Sequence, residues 1–192
     1  MANTMDVKTA IRNGDVDTLR RLLFEDSSRA NALLRWGEND CILTHPLHYV
    51  SDMLFEGALQ KGKELPLVEA LIAAGADPDF QRNREDGKKS DTPLIGAASL
   101  AAEEVGLRLL GAGARPELRG IFGETALHWA ALLGEHRLAG RLIGGSDIDL
   151  KDEKYNSTPL GWASPRPVQP AGGKPRKAVR GGRASGLCRG NC

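Results

Sequence analysis

Aromatic side chains are scarce in this sequence: Phe, Trp and Tyr make up 5% of its 192 residues. With so few rings and no good run of alternating apolar residues, a β-sandwich is not expected. No stretch of about 18 apolar residues occurs, so no transmembrane helix is expected either. Met1 to Val7 lack a basic-then-apolar leader pattern. Cysteine is limited to Cys41, Cys188 and Cys192, an odd number with two members at the C-terminus. That is no disulfide framework, and a reducing cytoplasm is the simpler expectation. Acidic residues are missing after Trp162, where seven of the 26 Lys and Arg lie; 19 basic and 25 acidic residues precede them. The chain therefore divides into an acidic body and a basic tail.

What is plentiful is Ala, Leu and Gly, the composition of closely spaced helices. Gly123 to Ile143 gives the clearest unit. Gly123-Glu124 can turn, Thr125 can cap a helix over Ala126 to Leu133, and Gly134 breaks it. Leu138, Leu142 and Ile143 then mark one apolar face of a second helix. A helix pair this short cannot bury that face alone and needs copies of itself on either side. The chain supplies them. Thr92-Pro93-Leu94-Ile95-Gly96-Ala97, Thr125-Ala126-Leu127-His128-Trp129-Ala130 and Thr158-Pro159-Leu160-Gly161-Trp162-Ala163 start at intervals of 33, and His45-Pro46-Leu47-His48-Tyr49-Val50 precedes them by 47. Leu109-Leu110 and Leu142-Ile143 each follow their threonine by 17 residues. Gly75-Ala76 and Gly113-Ala114 suit left-handed helix ends.

This pattern resembles the ankyrin repeat: a turn, a Thr-Pro-Leu-His-x-Ala helix, and a second helix ending in Leu-Leu and Gly-Ala-Asp. The resemblance covers about Asp6 to Ala163. It implies an all-α, ankyrin-type helix-turn-helix solenoid with projecting β-turn hairpin loops, in a family that mostly binds other proteins. It also implies that His48 and His128 bridge backbone groups of adjacent turns.

The domain is expected over residues 1–163, with units at about 6–41, 42–89, 90–122 and 123–155 and a partial unit at 156–163. Val7 to Arg12 and the face Val16, Leu19, Leu22 and Leu23 make a terminal pair. Ala30 to Leu34 reads as a short helical turn. The second unit carries extra residues in Ser51 to Pro66, with Lys61-Gly62-Lys63 as turn and Pro66 at the first position of the next helix. An enlarged, charged hairpin runs from Gln81 to Asp91 and is either a solvated tip or a contact loop. Ile121 and Phe122 either pack on the next hairpin or meet a partner. In the last unit Ser164-Pro165-Arg166-Pro167 stops the helix, so residues 164–192 are expected to be a disordered basic tail. The abrupt change there also suggests a truncated or out-of-frame end to a longer array. Nothing then covers the distal side of Leu138, Leu142 and Ile143, and hydrogen exchange is expected to be fastest from Asp149 onward.

No catalytic set is found, so the chain is not expected to be an enzyme. Gly87-Lys88-Lys89-Ser90 echoes a phosphate-binding loop but lacks its upstream Gly, the Lys-Ser/Thr pair and the preceding strand. Cys41, His45 and His48 are spaced like metal ligands but fall short of four, so no metal and no cofactor is expected. His45 occupies the capping slot, which puts that helix start in doubt. The positive signal is a row. Tyr49, Gly96, Trp129 and Trp162 follow the motif histidine position, and the ankyrin arrangement implies that this position lies towards the concave groove. Tyr and Trp are enriched among binding hot spots; alternatively each ring packs on a neighbouring hairpin. Asp91, Glu124 and Ser157 would form the adjoining polar rim. The expected partner-binding residues are thus Tyr49, Asp91, Glu124, Trp129, Ser157 and Trp162.

The function expected is non-catalytic protein–protein interaction through hairpin tips and concave helix face. The partner is an unidentified protein, with no small-molecule substrate and no membrane, and the chain is expected to be a monomer. Alternatives are nucleic-acid or acidic-surface binding by the tail, or a regulatory subunit that masks an enzyme.

Overall fold

A computed structural model describes residues 6–83 and 89–164. In chain order the helices are α1 (Val7–Asn13), α2 (Val16–Glu25), α3 (Pro46–Phe55), α4 (Glu64–Ala73), α5 (Pro93–Ser99), α6 (Glu103–Gly111), α7 (Ala126–Leu133), α8 (His136–Leu142) and α9 (Pro159–Ala163). They form two layers. The first helices of each pair touch in the order α1, α3, α5, α7, α9, and the second helices in the order α2, α4, α6, α8. One apolar core runs between the layers, with Leu47, Leu67, Leu71, Leu94, Ile95, Leu109, Leu138 and Leu142 almost wholly shielded from water. Among the described residues no helix is long and apolar enough to cross a membrane.

Helix starts follow the sequence. Thr92 Oγ1 accepts from the Ile95 amide at 3.1 Å and Thr158 Oγ1 from the Gly161 amide at 3.2 Å, satisfying donors a helix cannot satisfy itself. His45 does the same work with a ring: its Nδ1 accepts from the Leu47 amide at 3.3 Å, so the helix begins at Pro46 as the repeat requires. Gly14 and Gly134 end α1 and α7 in the left-handed region. Ala101 holds the matching place after α5 and is forced to φ 56° without glycine's freedom.

Three local expectations change. Helical turn stops early: a 3-10 turn covers Ser27–Ala30, and Leu34 instead opens β1 (Leu34–Trp36), which pairs antiparallel with β2 (Ile42–Thr44). Three-residue strands are too short to print an alternating pattern. Pro66 is the third residue of α4 rather than the first. Leu138 and Leu142 do not form the uncovered distal face. Both are buried, and Leu138 lies against Gly106 of α6. The open apolar side chains at that end are Leu132, Leu133, Ile143, Ile148 and Leu160. The expected tail and the core of the enlarged hairpin, residues 165–192 and 84–88, lie outside the described residues.

Candidate partner-binding surface

The hairpins are fixed to the first-helix row by acidic side chains at their bases. Glu124 accepts from the Phe122 amide at 2.8 Å and from the Trp129 indole at 3.2 Å. Asp152 repeats the device one unit on, accepting from the amides of Lys154, Tyr155 and Ser157 and from the Trp162 indole at 3.0 Å. Burial pushes the Glu124 carboxyl above its usual range, and the neighbouring Asp91 charge adds to this. At Asp152 burial acts the same way but is outweighed, first by the Tyr155 amide and then by the Trp162 indole, so its pKa falls. Asp152 was missed from sequence because its partners span ten residues; the signal is an acid that precedes each indole.

Burial divides the six expected binding residues. Tyr49, Glu124 and Trp162 are buried, at 2%, 0% and 6% exposure. Tyr49 takes the edge of Trp36. Trp162 sits among His128, Trp129 and Tyr155, with ring centroids 5.0 to 5.8 Å away. Asp91, Trp129 and Ser157 remain partly exposed. The open part of the row is therefore Trp129, with Ser157 and Asp91 beside it in neighbouring hairpins. Of the two hairpin-tip residues, Phe122 packs forward: its carbonyl accepts from the Glu153 amide and the Lys154 ammonium lies 3.9 Å above its ring. Ile121 turns towards the cleft described next.

The motif histidines differ. His128 is fully buried; its Nδ1 lies 3.1 Å from the Thr125 amide and its Nε2 3.3 Å from the Ser157 carbonyl. It bridges adjacent turns, and burial lowers its pKa. His48 makes no such bridge. Its Nδ1 meets Asp52 at 3.3 Å, and its ring fills the space that a side chain at Gly96 would need. Burial alone would lower its pKa, but the Asp52 carboxylate and then Asp91 outweigh it and raise it. His45, beyond its cap, reaches Asn31 Oδ1 at 3.1 Å and stacks on Phe80. Burial drops its pKa to about 4. Capping and stacking hold the His45 ring, and the Asp52 carboxylate holds that of His48.

Between the β1–β2 hairpin, the 81–91 hairpin and α3 opens a cleft of about 760 Å³. Its apolar wall includes Phe55, Leu100 and Ile121, with Phe55 half exposed. Its acidic wall includes Asp52, Glu56 and Asp91. Sequence reasoning found Asp91 here but not α3's outer residues, because the β1–β2 hairpin that forms the opposite wall was not foreseen. A shaped apolar cleft with a charged rim can hold a peptide segment. A family model described as ankyrin repeats in three copies matches residues 54–152 of the chain. No curated protein matches it.

Proposed function

The chain belongs to the ankyrin-repeat family, whose repeats are protein–protein interaction modules, and from that premise we propose that it is a non-catalytic binder of a partner protein through its hairpin tips and first-helix face. The observation that carries the reading is the 760 Å³ cleft, where half-exposed Phe55 stands beside the carboxylates of Asp52, Glu56 and Asp91. An exposed aromatic flanked by polar side chains is the usual anatomy of a binding hot spot. Trp129, with Asp91 and Ser157, extends the surface along the row. Tyr49, Glu124 and Trp162 act behind it by holding the hairpins and the Trp129 ring in place.

Site-specific photo-crosslinking tests this. With p-benzoylphenylalanine in place of Phe55 or of Trp129, partner adducts are expected. In place of Arg108, on the second-helix layer, none are expected. Adducts from position 108 alone would move the interface to the opposite layer and overturn the proposal.

A further inference from the structure

We propose that Glu135, at the head of α8, is a proton-operated latch: protonated, it keeps α8 seated on α6; ionised, it drives the start of α8 to open and uncover Leu138 and Leu142. The latch belongs to the edge of the stack and does not depend on which partner the first-helix face binds.

The repeat register isolates the anomaly. Asp15, Ala102 and Glu135 hold the same place, immediately before α2, α6 and α8. Asp15 caps its helix, accepting from the Thr18 amide at 3.0 Å. Ala102 fills the place with a buried methyl group. Glu135 does neither. One methylene longer than aspartate, it has both carboxylate oxygens buried with no hydrogen-bond partner. The amides of Arg137 and Leu138, which it could have capped, are already taken by Glu103 Oε1 of α6 at 2.9 and 3.1 Å. A buried carboxylate without donors costs far more than a buried neutral carboxyl group. Water is the remaining donor, and water reaches the group when α8 moves.

α8 packs against α6, α7 and the 3-10 turn Ile143–Gly145. The titratable or charged side chains on these elements are Glu103, Glu104 and Arg108 on α6, His128 on α7, and His136, Arg137 and Arg141 on α8 itself; the 3-10 turn has none. Glu104 pairs with Arg137 and Arg108 with Glu69, while His128 is held by the Thr125 amide and the Ser157 carbonyl. Of them all, Glu103 alone acts on Glu135. Burial first, and then the Glu103 charge, raise the Glu135 pKa from the usual 4.5 to about 7. The latch is therefore fully closed below pH 4.5, and its hold is lost as pH rises through 7. Little else secures α8 from outside. It is seven residues long, and no tenth helix lies on its outer side among the described residues. Once α8 lifts, Leu138 and Leu142 add to the open side chains of Leu132, Leu133 and Ile143. The end of the stack thus gains apolar surface near neutral pH and hides it in acid.

Amide hydrogen exchange of the full-length chain at about pH 5 and about pH 7.5, with the intrinsic rates at each pH divided out, reads this opening helix by helix. Protection of residues 139–142 is expected to fall about fivefold from the lower pH to the higher, the effect left after solvent screening. Protection in α4 and α6 is expected to show no such fall. Glu135→Gln keeps the shape of the side chain and removes its titration. Glu135→Ala installs the residue that the preceding unit carries at the same place. Both variants are expected to abolish the fall. An equal fall in the two variants would overturn the proposal, because another group would then be titrating. So would a wild-type chain with no fall, or a fall of the same size throughout α4 and α6, which would make the opening global.

Discussion

At the level of single residues, the repeat's rules are kept where chemistry has an alternative and strained where it does not. Ala101 stands at φ 56° where the other units place glycine. A left-handed backbone costs an L-residue about 1 kcal/mol, so Ala101→Gly is expected to stabilise the chain by about that amount in urea unfolding. His45 shows the opposite case, an imidazole doing a hydroxyl's work. Its folded pKa of about 4 lies below the usual 6.5, so the unfolded chain binds the proton first as pH falls. Its contribution is full above pH 6.5 and is lost progressively down to about 4, on the order of 3 kcal/mol in all. His48, with its raised pKa, works in the other sense, so the clean comparison is a single variant. His45→Thr keeps the cap and is expected to flatten the acid limb of a Tm-versus-pH profile. Glu135 carries the reverse sign. Both its carboxylate oxygens are buried without a hydrogen-bond partner, and burial, with the nearby Glu103 charge, raises its pKa to about 7. Its contribution is full below pH 4.5 and is lost as pH rises through 7. Glu135→Gln should recover about 1 kcal/mol at pH 8, allowing for solvent screening, with no gain at pH 4.5.

At the level of elements, helix–helix spacing is set by small residues on the second-helix layer. A methyl group on Gly106 would stand 2.8 Å from Leu138 Cδ2 and 3.1 Å from its Cδ1, and Leu138 is fully buried. Alanine would favour helix α6 by about 1 kcal/mol, but overpacking costs about 1–3 kcal/mol. Gly106→Ala is therefore expected to destabilise, and Leu138→Val in the same chain to recover part of the loss, as calorimetry of the double-mutant cycle would show. The helices themselves were legible in sequence because Thr92, Thr125 and Thr158 combine a cap, a spacing and an apolar pair. The β1–β2 hairpin was not, since Leu34–Trp36 and Ile42–Thr44 are too short to carry a period. Nor was the direction of Leu138 and Leu142: a helical stripe says which residues share a face, but not which neighbour that face meets. The candidate site was half legible for the same reason. Asp91 and Trp129 follow from repeat register, whereas Phe55 and Asp52 matter only because an unforeseen hairpin stands opposite them.

For the whole molecule, the two layers end differently. α9 covers α7 and anchors itself through Trp162, but no tenth helix lies on α8 among the described residues, and Ile143 and Ile148 are left half exposed. Stability in a stack is a sum over units and interfaces. Fraying is thus expected first at residues 143–149, not in α9, contrary to the sequence-based expectation for everything after Asp149. Hydrogen exchange should show fast amides there and slower ones at Trp162, with Trp162→Ala abolishing the difference. Bonds between units also have a direction. Asn31 accepts from the Asp77 amide, Asp79 from Arg115, Asp91 from Ile121, and Glu103 from Arg137 and Leu138. In each the side chain comes earlier in the chain than the backbone it holds, and in all but the Asp91–Ile121 bond it belongs to the earlier unit. Injury in such an array travels downstream: removing the Glu103 carboxylate leaves α6 intact and strips the start of α8, so a lesion's symptoms appear one repeat away from its cause.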